Sequence, residues 1–171
     1  EVNLDNAGNI LVAAQTQSDN FPVTAGVFQT TKGALQDGMI MKINANCNTL
    51  IFASFLGGAG DDGAFVIAQP KGGGNYFVAG GTTSNNFPGN KTGVITPAFA
   101  GGTTDGFIAE ISSDGASIIR STYLGTAGID IIYGLQFDKF GFPYVMGITS
   151  GAWPVVNATY SNPNSSQFIA K

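Results

Sequence analysis

Short runs of apolar residues, each closed by Gly, Asn or Asp, recur along the whole chain. They are too short for helices, and hardly any stretch sets Ala, Leu, Glu and Lys at helical spacing. Alternation is visible in Asp37-Gly-Met-Ile-Met-Lys-Ile43, where Met39, Met41 and Ile43 point one way and Ile40 and Lys42 the other. Phe65-Val-Ile-Ala68 is apolar at every position, as a strand covered on both faces must be. The pattern predicts strands at 9–16, 38–44, 49–56, 64–69, 75–82, 106–112, 117–124, 131–137, 143–149 and 167–170. Ala45-Asn-Cys-Asn48 and Ser113-Asp-Gly115 read as hairpin turns, because Asn, Asp and Gly tolerate positive φ.

The runs repeat in a fixed order. Asn75-Tyr-Phe-Val-Ala-Gly-Gly-Thr-Thr-Ser84 restates Asn9-Ile-Leu-Val-Ala-Ala-Gln-Thr-Gln-Ser18, and Pro143-Tyr-Val-Met-Gly-Ile-Thr-Ser150 is a third copy. Each leads to an aromatic residue followed by Pro; 66 residues separate Phe21 from Phe87, and 66 separate Phe87 from Trp153. Independent blocks pair Asp37–Ile43 with Asp105–Ile111, and Leu50–Gly57 with Ile118–Gly125. Four strands per repeat is the content of one β-propeller blade. The expected fold is therefore all-β, with repeat units at about 37–104 and 105–165 and partial units at 1–36 and 166–171. On that count the chain holds two full blades plus edge strands, part of one propeller domain, since a ring needs about four to eight blades.

Some of these motifs resemble the bacterial SBBP repeat, a family named for seven-bladed β-propellers: Asn6-Ala-Gly-Asn9, Tyr76-Phe-Val-Ala-Gly80, Asp105-Gly-Phe-Ile-Ala109 and Ser121-Thr-Tyr-Leu-Gly125. The resemblance covers essentially the whole chain. The third copy departs from it at Phe142, at Trp153 and in lacking Asp-Gly before Phe168. It implies a module of a large secreted or surface-anchored bacterial protein, in some cases one using the type IX secretion route linked to gliding and adhesion. It implies no catalytic site.

Composition narrows the chemistry. Hydrophobic residues make up 43% of the 171 and charged residues 11%, against about 25% charged in an ordinary soluble domain. The net charge of −4, with seven scattered Lys and Arg, gives no basic stripe for nucleic acid. No apolar run approaches the roughly 20 residues of a membrane helix. Histidine is absent, which removes His-based triads and His-bound zinc, and Cys47 in its turn has no His partner. For Asp61 and Asp62 the open readings are turn or inter-blade hydrogen bonding, calcium, and carboxylate-pair catalysis; recurrence at Asp130 favours the first. Asp37 and Asp105 read as caps on backbone N–H groups at strand entrances. Phe21, Phe87 and Trp153 read as packing anchors or, if exposed, carbohydrate platforms. Three glycosylation sequons begin at Asn90, Asn157 and Asn164.

The expectation is a non-catalytic extracellular or cell-surface module, with no catalytic, cofactor-binding or metal-ligating residue assigned. Its partners would be a protein or polysaccharide and the remaining blades of the same protein. The competing reading is part of a secreted polysaccharide-degrading propeller enzyme whose active site lies on other blades.

Overall fold

The computed structural model describes residues 1–33, 35–162 and 165–171. Strands β1 (Val2–Leu4), β2 (Ile10–Thr16), β3 (Asp37–Ile43) and β4 (Leu50–Leu56) form one antiparallel meander. A second contains β5 (Asp62–Ala68), β6 (Tyr76–Thr82), β7 (Asp105–Ile111) and β8 (Ile118–Leu124). The third has β9 (Asp130–Phe137), β10 (Pro143–Thr149) and β11 (Gln167–Ala170). The fold is all-β: three antiparallel sheets, with no helix among the described residues.

The sequence period and the sheets differ in phase. The repeat that begins at Asp37 takes β3 and β4 from the first sheet and β5 and β6 from the second. The next repeat straddles the second and third sheets in the same way. By sheets the described residues divide into four, four and three strands, the first including β1, which the apolar pattern did not predict. The chain leaves a sheet after β4 and again after β8, at Gly57 and Gly125. A Cβ on Gly57 would lie 2.7 Å from both the Asp37 and the Asp62 carboxyl groups, so only glycine allows the chain to cross there.

The sheets pack face to face. Leu11, Ala13 and Ile40 of the first are sealed against Ala64, Ile67 and Val78 of the second. Val66, Ala68 and Ala79 on the opposite face of the second sheet meet Ile132, Leu135 and Val145 of the third. Strand β5 thus buries both of its faces, which is why Phe65-Val-Ile-Ala68 has no polar position. Alternation points its side chains to the two neighbours in turn, and a register shift between Ala64 and Val66 sets both Phe65 and Val66 toward the third sheet.

Candidate functional site

The densest chemistry lies where the strands meet the long connections. Strands β3, β5, β7 and β9 each open on an aspartate, and Asp37, Asp62, Asp105 and Asp130 are all 1% exposed or less. Each turns one oxygen back onto the connection it follows. Asp37 Oδ2 accepts from Gly33 N at 2.9 Å, Asp62 Oδ2 from Gly58 N at 2.7 Å, and Asp130 Oδ2 from Thr126 N at 2.6 Å. Asp105 Oδ2 accepts from Ala100 N at 2.5 Å. A strand-opening Asp that ties down the loop four or five residues before it explains the recurrence without invoking a ligand.

The four carboxyls form two pairs, one per sheet junction. Asp62 N donates to Gln36 O at 2.9 Å, and Asp130 N to Thr104 O at 2.8 Å. Those bonds set Asp62 beside Asp37 and Asp130 beside Asp105. Burial pushes the Asp62 carboxyl up to about 6 against the hydrogen bonds that hold it, and the neighbouring Asp37 charge adds to the rise. Burial likewise pushes Asp105 up to about 6, with the Asp130 charge adding to it. No ion pair neutralises Asp62, Asp105 or Asp130 among the described residues. Their Oδ1 atoms have no hydrogen-bond partner there. No group of three or more His, Cys, Asp or Glu converges among those residues. Asp61, next to buried Asp62, is exposed; its Oδ1 accepts from Gln36 N at 3.1 Å.

The residues before Pro pack inward. Phe87 is buried 4.1 Å from the Phe107 ring, centroid to centroid, and Trp153 stacks on Phe168 at 3.6 Å. Phe21, half-buried, lies 5.3 Å from Phe55. None presents a free, flat ring. Cys47 is exposed in its turn with φ 56°, and Asn90 and Asn157 are exposed; Asn164 lies outside the described residues.

Two clusters escaped the reading of the sequence. Lys91 lies over the Tyr123 ring, 4.7 Å from its centroid, and donates to Ser121 Oγ; burial pushes its amine down to about 8. At the other end of the sheets, Lys42 Nζ lies 3.0 Å from Asp5 Oδ2 and donates to the Tyr76 hydroxyl at 2.7 Å. Burial alone raises the Asp5 carboxyl, but bonds from Asn9 and Lys42 outweigh it and hold the group at about 2. The available signal was departure from the repeat: Ala25 stands at the place of Lys91, Ala53 at that of Ser121, and Glu110 at that of Lys42.

Shallow depressions open at both ends of the sheets. One, of about 620 Å³, is lined by Asp19, Lys32, Leu35, Gly60, Asp61 and Thr83. The other, about 430 Å³, is lined by Asp5, Asn6, Lys42, Gln69, Tyr76 and Ser113. No family model and no curated protein matches the chain.

Proposed function

We propose that the three sheets are consecutive blades of a β-propeller, and that the chain is a non-catalytic module of a secreted or surface-exposed bacterial protein. Its loops would be offered to a protein or polysaccharide partner, and the SBBP-like motifs are what supports adhesion or type IX secretion as the setting. One observation carries the non-catalytic reading. The buried carboxylates recur at each junction, hold loops in place and have almost no surface from which to reach a substrate. A catalytic carboxylate pair needs access to the bond it cleaves and a geometry found once. Face-to-face stacking of successive meanders, with the chain crossing over after each fourth strand, supports the propeller.

The test is to incubate the purified chain with a panel of bacterial and plant polysaccharides, measuring binding by glycan array and cleavage by release of reducing ends. Saturable binding without release is the expected result. Release of reducing ends that survives repurification would end the non-catalytic reading.

A further inference from the structure

The seven basic side chains are not spread evenly over the stack. Lys42, Lys71, Arg120, Lys139 and Lys171 lie at the end where hairpin turns join β1 to β2, β5 to β6 and β9 to β10. The opposite end, where the long connections and the crossings run, sets Lys32 and Lys91 against Asp19, Asp61 and the four buried aspartates. At the turn end Lys42, Arg120 and Lys171 each pair with a carboxylate. Asp114, also at that end, is closed onto its own turn by bonds from Ser112 and Ala116. Lys71 and Lys139, both exposed, enter no ion pair among the described residues.

These two lysines hold the same place in two turns. Gly73 N donates to Pro70 O at 2.9 Å, and Gly141 N to Asp138 O at 3.0 Å, so Lys71 matches Lys139 and Gly72 matches Phe140. In the first sheet Gly8 N donates to Asp5 O at 3.0 Å, which puts Ala7 in the place of Phe140. The third turn thus sets a phenylalanine where its counterparts have glycine and alanine. Phe140 is 73% exposed and Phe142, two residues on, 55%. That exposure belongs to the turn. The second sheet has a sheet against each of its faces, yet Lys71 and Gly72 are exposed, and a Cβ on Gly72 would meet nothing within 4 Å. A turn at this place stands clear of the stack with a sheet on either side.

The chemistry of the tip decides what it fits. Phe140 has no polar edge for a sugar hydroxyl, and Lys139 Nζ lies over its ring, 4.9 Å from the centroid. Lys171 Nζ likewise lies 4.8 Å from the Phe142 centroid. A ring with a cation on its face is a poor stacking platform for a sugar. Apolar rings flanked by ammonium groups match the boundary between lipid headgroups and acyl chains, where the rings leave water and phosphates neutralise the lysines. We propose that the turn end of the stack docks on an anionic lipid surface, with Phe140 and Phe142 entering the headgroup layer and Lys71 and Lys139 set against lipid phosphates. The long connections then point away from the lipid, free for a protein or polysaccharide partner. The docking needs only turns gathered at one end of stacked sheets, and does not depend on the propeller reading.

Vesicle co-sedimentation of the intact chain tests it. Strong binding is expected to phosphatidylcholine vesicles containing about 30% phosphatidylglycerol, weak binding to phosphatidylcholine alone, and release at about 0.5 M NaCl. Phe140→Ser should weaken binding about tenfold, and Lys71→Gln with Lys139→Gln about fivefold per lysine, each with an unchanged circular dichroism spectrum. In a Trp153→Phe background, which removes the single native tryptophan, the fluorescence of Phe140→Trp should shift to the blue on the anionic vesicles. No sedimentation of the wild-type chain, or equal binding by all the variants, overturns the docking. So does retention by polygalacturonate without binding to vesicles, which would give this end to an acidic polysaccharide instead.

Discussion

The junction between the first and second sheets and the junction between the second and third share a backbone plan but cohere differently. Both have a buried Asp pair at the loop end and an apolar seam. The first adds a polar clamp at its far end: Asp5, Lys42 and Tyr76 bond across it, while Asn3 Nδ2 donates to Ile67 O at 3.0 Å and Glu1 Oε2 accepts from Ile67 N at 2.8 Å. The second relies on rings: Phe65 stacks on Tyr133 at 5.5 Å and Phe77 meets Phe137 edge-on at 5.1 Å. No ion pair crosses it among the described residues. What recurs is what the stacking requires, and what does not recur is where the two seams can be tuned apart.

The strongest way to break the parallel is to empty the first seam. Phe107→Ala removes a fully buried ring and is expected to cost about 3–5 kcal/mol in urea unfolding. Phe137→Ala, at a half-buried ring of the second seam, should cost about half as much.

Acidity tests what the seams share. Asp62 and Asp105 bind their protons more tightly folded than unfolded, so their contribution is complete below about pH 3.8 and is lost as pH rises through about 6. Each is worth of the order of 2–3 kcal/mol across that window. Asp5 acts in the opposite sense, losing its contribution only as pH falls toward about 2, and so does not mask the window. Urea titrations at stepped pH should show stability declining from pH 4 to 7. Asp62→Asn and Asp105→Asn should each flatten that slope; an unchanged slope in both would show that other groups set it.

Smaller effects sharpen the difference. Lys42→Met leaves Asp5 buried without its cation and is expected to lower stability by about 1–3 kcal/mol, read from the shift in urea midpoint. Lys171→Met breaks a half-exposed pair with Asp138 inside the third sheet and should change it by less than about 0.5 kcal/mol. Equal effects would show that the buried pair of the first seam is worth no more than a half-exposed pair within one sheet.

Strand positions were legible because apolar runs and turn residues are local signals. Nine of the predicted segments can be followed strand by strand from Ile10–Thr16 to Pro143–Thr149, and Gln167–Ala170 closes the series. The sorting of strands into sheets was not, since a period has no starting point. A hairpin such as Ala45–Asn48 and a crossing such as Gly57–Asp61 look alike in sequence, both short and rich in small polar residues. The doubly apolar β5 was the one local sign of where a sheet begins. The aspartates at 37, 62, 105 and 130 were visible as a recurring position; their pairing across junctions was not, because it depends on residues 25 apart meeting directly past an intervening strand. Strand β1 is only three residues long, below what alternation can register. Lys91 and Lys42 were passed over because a search for repeats discards the positions that differ.

The loop-holding aspartates have a consequence for how such a chain tolerates change. The long stretch before β7 is tied at its end by Asp105 and at its start by Ser84, whose N–H bonds to Thr82 Oγ1 and whose hydroxyl bonds to Asp62. Both tethers belong to the sheet that the stretch leaves and rejoins. New sequence grafted between residues 92 and 95 would therefore be displayed from a fixed base, with Thr96 still bonded to Thr122 and Tyr123 of β8, which makes that short segment the natural place to build a designed paratope.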